Sequence, residues 1–272
     1  MNASLAERVI AVPEARAADI LSRMLEERGA RTLRVPLIDI KDSPDRDAVE
    51  GWITRAIGGQ CDDLILYTGE GLRRLVGFAE RMGRKEAFIA CLATVRKITR
   101  GPKPVQALRE IGLDADLRAE EPTTAGLVHL LQTLDLAGHT VGLQLYPNPR
   151  LEALLAALQQ AAARVDPVLP YVYVPAAEAQ DVVHLIEQLA AGNIDGIAFT
   201  SAAQVVRLVD VANASQRVEM LAKGLDRCLV AAIGPIVQQE LQRHTWQPDV
   251  VAAEPYALKP LVRAMENWFS TK

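Results

Sequence analysis

Aromatic residues make up only 4% of this 272-residue chain, and cysteine occurs three times. So few aromatics, beside many Ala, Leu and Val, suit helices packed on a parallel sheet. Cys61, Cys91 and Cys228 are odd in number and widely spaced, with no Cys-x-x-Cys. That pattern argues against a disulfide framework or a zinc knuckle and fits a reducing cytosol. No apolar run approaches the ~18 residues of a membrane helix. The first residues meet charge at Glu7 and Arg8 and lack the apolar core of a signal peptide, so a cytoplasmic location is expected. Positive charge is not in excess: the net charge is −4, which argues against a general nucleic-acid binder while leaving room for a local basic cleft. What is present is a composition 50% hydrophobic and 24% charged, that of a globular protein. At ~150 residues per domain the length predicts two domains.

The two halves echo each other. Val12-Pro13 followed by Arg16 resembles Tyr146-Pro147 followed by Arg150, and Pro36 matches Pro170, each at an offset of 134. Asp63 and Thr68 match Asp195 and Thr200 at an offset of 132. Gly101-Pro102, Leu108 and Glu121-Pro122 match Gly234-Pro235, Leu241 and Glu254-Pro255 at 133. These landmarks, in order and nearly in register, predict a tandem duplication of about 135 residues.

Each repeat reads as strands alternating with helices. In the first, strands are expected at 9–12, 64–67 and 88–93, with an extended Pro-bearing stretch at 34–40. Helices are expected over Ile20–Leu25, ending at Gly29, over Leu72–Ala79, from Val105, and over 123–134. In the second, strands are expected at 141–145, 168–174, 196–200 and 228–233. Helices are expected at 151–163, 179–190, 204–212, 236–243 and 258–269. Such alternation implies parallel sheets with crossover helices, hence two doubly wound α/β units. Ligands bind at the carboxyl ends of such strands. Four strand-to-helix turns, at 13–16, 68–71, 147–150 and 200–202, are expected to offer backbone N–H groups to carboxylates or phosphates.

The motif scan is mostly negative. Gly69-Glu70-Gly71 opens like a dinucleotide fingerprint, but Arg74 stands where the third glycine belongs. Gly101-Pro102-Lys103 lacks the Gly-Lys-Ser/Thr end of a P-loop. His129, His139, His184 and His244 have no metal-ligand spacing. Ser201 lies in Thr-Ser-Ala-Ala, not in a hydrolase elbow. Arg96, Lys97, Arg100 and Lys103 put four cations in eight residues, either a solvated loop face or an electropositive wall for a polyanion. Arg16 and Arg150 take equivalent first-turn positions, where a cation opposes the helix dipole. Each is easier to understand if it faces an anionic ligand.

Taken together, these residues resemble the uroporphyrinogen-III synthase family over nearly the whole chain. The likeness is carried by RVDPVLPY at Arg164–Tyr171, IDGIAFTS at Ile194–Ser201, AIGP at Ala232–Pro235 and EPYALKPLVRAM at Glu254–Met265. The first half departs from the family pattern, as a divergent subgroup would. Ala11-Val12-Pro13 replaces Thr-Arg-Pro, Thr68-Gly69 replaces Thr-Ser, and RGPK at Arg100–Lys103 replaces a plainer turn. Glu70 there would bring a negative charge near an anionic ligand, unless it serves its own helix in the first turn.

The resemblance implies two flavodoxin-like doubly wound parallel-sheet domains joined by a two-stranded linker, with an active-site cleft between them. The domains would be 1–37 with 171–272, and 38–170, linked by 34–40 and 168–174. It implies a cofactor-free, metal-free lyase, a monomer that binds neither nucleic acid nor membrane. Its substrate would be hydroxymethylbilane, a linear tetrapyrrole with eight carboxylates, closed to uroporphyrinogen III with the last ring inverted. Tyr171, which aligns with the family's tyrosine after the second linker strand, becomes the candidate proton donor. Thr200, Ser201, Gly234 and Pro235 become one wall of substrate contacts, and Thr68, Gly69 and Gly101 the other, with Arg16, Arg100 and Arg150 as cationic contacts. A non-catalytic relative that binds a tetrapyrrole as sensor or partner is the alternative.

Overall fold

The computed structural model describes residues 4–147 and 151–271. Its first half runs β1 (Val9–Val12), α1 (Ala18–Glu26), β2 (Arg31–Arg34), β3 (Ile38–Asp42), α2 (Arg46–Ile57), β4 (Asp63–Leu66), α3 (Gly69–Arg81), α4 (Lys85–Thr94), β5 (Arg96–Thr99), α5 (Pro102–Arg109), β6 (Leu117–Arg118) and α6 (Thr124–Leu131). The second runs β7 (Thr140–Gln144), α7 (Glu152–Gln160), β8 (Arg164–Val168), β9 (Tyr171–Pro175), α8 (Ala179–Ala191), β10 (Gly196–Phe199), α9 (Ala202–Ala214), α10 (Val218–Leu225), β11 (Leu229–Ala232), α11 (Pro235–Arg243), β12 (Val250–Val251) and α12 (Leu258–Ser270).

The chain divides into two compact α/β units, Met1–Asp39 with Tyr173–Lys272 (unit 1) and Ile40–Val172 (unit 2). Unit 1 holds the parallel sheet β12-β11-β10-β1-β2, and unit 2 the parallel sheet β6-β5-β4-β7-β8. The chain passes between units along β3 and β9, which pair in a two-stranded sheet.

Residue chemistry explains the layout. β4, β10 and β11 are buried along their whole length, as strands between covered faces must be, and all but Asp63 at the start of β4 are apolar. In unit 2 one core gathers Trp52, Phe78 and Phe88, and a second gathers Leu127, Leu131, Leu154 and Leu158. At the margin of unit 1, β2 is Arg-Thr-Leu-Arg, whose charged ends discourage pairing with a foreign strand. Pro102 and Pro235 open α5 and α11 at the first helical position, where a missing N–H costs nothing. Gly192, at φ 80°, ends α8 in the left-handed conformation.

Three sequence expectations are corrected. The apolar stretch 88–93 is not a strand but lies inside α4, where only Phe88 and Leu92, one turn apart, are buried. A short apolar run reads equally well as strand or buried helix. The strand is instead Arg96–Thr99, so the basic cluster is no loop. Arg96 pairs with the buried Asp63, and buried Lys97 reaches Asp116 at 2.8 Å and the Val95 carbonyl at 2.8 Å. Finally, neither Pro-bearing stretch is one strand: Pro36 separates β2 from β3, and Pro170 separates β8 from β9.

The duplication recurs as matching hydrogen bonds. Asp116 accepts the Lys97 N–H at 2.7 Å in unit 2, and Asp249 accepts the Val230 N–H at 2.8 Å in unit 1. Asp62 accepts the Thr140 N–H and Asp195 the Val9 N–H, both at 2.8 Å, so that Asp62 and not Asp63 answers to Asp195. Each sheet takes strands from both repeats: β1 and β2 complete the sheet of β10–β12, while β7 and β8 complete that of β4–β6.

Candidate functional site

In both units strand order reverses at one place, between β1 and β10 in unit 1 and between β7 and β4 in unit 2. The carboxyl ends flanking such a reversal are where an open α/β sheet leaves a crevice.

In unit 2, β4 runs into Tyr67 and Thr68, and Thr68 caps α3. Its hydroxyl accepts the Gly71 N–H at 3.0 Å, satisfying one donor at the helix start. The Tyr171 hydroxyl, at the start of β9, lies 3.3 Å from the same Thr68 oxygen. Gln144, the last residue of β7 and fully buried, accepts the Thr68 N–H through Oε1 at 3.0 Å. Its Nε2 donates to the Leu145 carbonyl and lies 3.4 Å from the Thr68 hydroxyl.

At the neighbouring strand end, the Arg100 guanidinium sits 5.0 Å from the Tyr67 ring centroid and 5.1 Å from that of Tyr146. Those two rings are 5.4 Å apart. A cation held over two aromatic faces keeps its charge available while its stem is fixed. Arg100 Nη1 is buried without a hydrogen-bond partner among the described residues. Burial pushes the Tyr67 phenol up to about 12, although Arg100 pulls the other way. Glu70 stands in the first turn of α3 and pairs with Arg74 at 2.7 Å, and Arg74 also grips Asp42 at 2.7 Å. The charge of Glu70 is thereby answered within its own helix.

Unit 1 carries a related but different set. Thr200 follows β10, and Gln204 in α9 accepts the N–H of Thr200 at 2.8 Å and of Ser201 at 3.3 Å. Glu14, just past β1, accepts the N–H of Arg16 at 3.1 Å and of Ala17 at 3.3 Å, and also the Thr200 hydroxyl. The position matching Arg100 is Ile233.

These bonds correct in part the expectation of open N–H groups at the turns. At 13–16 the Arg16 N–H goes to Glu14. At 68–71 those of Thr68 and Gly71 go to Gln144 and the Thr68 hydroxyl, and at 200–202 those of Thr200 and Ser201 go to Gln204. The first helical N–H groups, at Gly69 and Ala202, are outside these bonds. The fourth turn includes Arg150, which lies outside the described residues. Arg16 is exposed and precedes α1 rather than standing in its first turn.

The structure therefore brings Thr68 and Tyr171 together and sets Gly69, Arg100 and Gly101 at adjacent strand ends of unit 2. Thr200, Ser201, Gly234 and Pro235 occupy the corresponding ends of unit 1. Three of the glycines have packing reasons of their own. A Cβ on Gly69 would stand 2.5 Å from the Lys103 carbonyl oxygen, and one on Gly101 2.7 Å from Pro122. A Cβ on Gly234 would meet the Tyr256 ring at 3.1 Å. The proposed basic wall is not formed, because Arg96 and Lys97 lie at the amino end of β5 and Arg100 beyond its carboxyl end. Sequence reasoning missed Gln144, Gln204 and Glu14.

Among the described residues no group of three or more His, Cys, Asp or Glu could hold a metal ion, and no helix is long and apolar enough to cross a membrane. Burial raises the Cys61 thiol to about 11 and the Cys228 thiol to about 12. Because only the thiolate reacts, both are expected to resist iodoacetamide near pH 8 in the native protein, with mass-spectrometric labelling of Cys61 rising as the pH approaches 11.

A family model described as uroporphyrinogen-III synthase HemD matches residues 19–261. An uncharacterized protein, YjjA of Bacillus subtilis (strain 168), is 30% identical over 243 residues, covering 89% of each chain. Two crystal structures from the extremely thermophilic bacterium Thermus thermophilus are similar. A mutant uroporphyrinogen III synthase, 24% identical, aligns over 97% of this chain and all of its own with a TM-score of 0.76. The wild-type synthase in another crystal form, 26% identical, aligns over 97% and 98% with a TM-score of 0.60.

Proposed function

The chain belongs to the uroporphyrinogen-III synthase family, and on that premise we propose that it is a cytoplasmic, cofactor-free lyase that closes hydroxymethylbilane to uroporphyrinogen III and water. The observation that carries the reading is the Tyr171 hydroxyl, held 3.3 Å from the capping hydroxyl of Thr68 beside the reversal in strand order.

The chemistry asks for little beyond placement. Tyr171 donates its phenolic proton to the leaving oxygen of the hydroxymethyl group, water departs, and the pyrrole nitrogen's electron pair fills the deficit. The terminal ring attacks through the α-carbon that already carries its bridge, giving a spiro intermediate; that older bridge bond breaks and re-forms at the ring's free α-carbon, and the proton released from that carbon returns to the phenolate. Thr68 supports that phenolate by hydrogen bonding. Arg100 takes a substrate carboxylate, its orphaned Nη1 finding an acceptor there. The Gly69 N–H at the start of α3, beside Thr68, serves a further carboxylate. Most of the acceleration comes from holding a flexible chain in the productive order.

The test is to give the purified protein fresh hydroxymethylbilane and separate the products. The type III isomer is expected; the spontaneous type I isomer alone would sink the proposal. Arg100→Met should raise KM about tenfold with little change in kcat, the mark of lost ground-state binding, read from initial rates. The Glu14 carboxylate, which fills the β1–α1 turn of unit 1, favours a second reading, a tetrapyrrole-binding protein without turnover. Spectroscopic binding with no isomer conversion would select it.

A further inference from the structure

Gln144 has no place in the mechanism above, yet its environment is built around it. A Cβ on Gly71 would fall 2.0 Å from Gln144 Nε2, so α3 forgoes a side chain where the carboxamide enters. The carboxamide has only one workable orientation. The Thr68 N–H must meet an oxygen and the Leu145 carbonyl must meet a donor, which fixes Oε1 and Nε2.

That orientation has a consequence for Thr68. Its hydroxyl has two acceptor positions and one proton. One acceptor position takes the Gly71 N–H at 3.0 Å, and Gln144 Nε2 faces the other at 3.4 Å. With both engaged, the proton of Thr68 is directed at the Tyr171 oxygen, 3.3 Å away. We infer that Gln144 is a positioning residue that sets the direction of this hydroxyl chain, so that Thr68 donates to Tyr171 and the phenol donates onward to the leaving group of the substrate. Without the amide donor, the Thr68–Tyr171 bond can form in either sense, and in the reverse sense the phenolic proton is spent on Thr68. The inference rests on the reading of Tyr171 as proton donor.

Gln144→Glu tests it. A carboxylate keeps the acceptor for the Thr68 N–H but has no proton to give, and it draws the Thr68 proton to itself. The expected result is a fall in kcat of about tenfold, smaller than the ~10²–10⁴ of a lost general acid because the Tyr171 donor itself remains, with KM nearly constant. The loss should develop as pH rises through the new carboxyl's pKa and recover below it, a step absent from the parent protein. In a Tyr171→Phe background Gln144→Glu should cost nothing more. If Gln144→Glu does not fold, Thr68→Val serves in its place, with lowered kcat expected and Thr68→Ser recovering most of it. Parental kcat at every pH, a loss independent of pH, additivity with Tyr171→Phe, or full activity in Thr68→Val would overturn the inference. A parent protein that makes no type III isomer would instead overturn the functional reading, so the two failures are distinguishable.

Discussion

Tyr171→Phe is expected to lower kcat about 10²-fold, roughly 2.7 kcal/mol of barrier, with KM changed by no more than about twofold. The ring fills the same buried space, so the substitution removes one oxygen and little packing. What goes with that oxygen is the proton for the leaving hydroxyl and the partner of Thr68. Substrate is held elsewhere, so binding persists while chemistry slows. The measurement is initial rate against hydroxymethylbilane concentration with the isomers separated. As turnover falls, spontaneous closure competes, and the product should drift toward type I. Unchanged kcat would remove Tyr171 from the mechanism, and with it the role given to Gln144.

The second large effect is on stability. Gly71→Ala puts a methyl group 2.0 Å from Gln144 Nε2 and 2.1 Å from its Cδ. The helix backbone is fixed by its cap, so the glutamine must leave. Its departure strips the Thr68 N–H of its acceptor and strands a buried amide, and each orphaned group costs about 1–3 kcal/mol. A destabilisation of about 3 kcal/mol, read as a lowered urea midpoint with unchanged slope, is expected, together with a drop in kcat. Gly83→Ala is the control. Its φ of 67° makes alanine strained, but nothing lies within 4 Å of the new methyl, so the cost should stay near the ~1 kcal/mol of the backbone alone.

Much of the fold was legible where residues obey one strong rule. β4, β10 and β11 are apolar runs bounded by turn residues, and α1, α3, α8 and α12 show a helical stripe. The repeat shows in the structure as paired aspartates at strand starts, with Asp62 rather than Asp63 answering to Asp195. Legibility failed where partners distant in sequence decide the outcome. Arg96 and Lys97 look like a solvated cluster until Asp63 and Asp116 arrive to neutralise them. Phe88–Ala93 has the composition of a strand, and only the neighbours of α4 make it a helix. For the site, Thr68, Arg100 and Tyr171 could be named from turn position, charge and motif. Gln144 could not, because its partner Thr68 is 76 residues away and they meet only once β7 is laid beside β4. Gln204 left a faint signal, since Ser201-x-x-Gln204 has capping-box spacing. Glu14 left none: an acid after a strand end does not announce which backbone donors it will claim.

The sharing of strands between the two sheets bears on how such a chain could have arisen. Neither half contains a finished layer: each carries a two-strand piece and a three-strand piece that belong to different sheets. A half-length ancestor would have exposed two ragged flanks in isolation and closed them only by trading segments with a second copy of itself. Fusion of the genes would then have turned a reciprocal embrace of two molecules into one covalent strand, freeing each lobe to lose or gain charges that its twin retained.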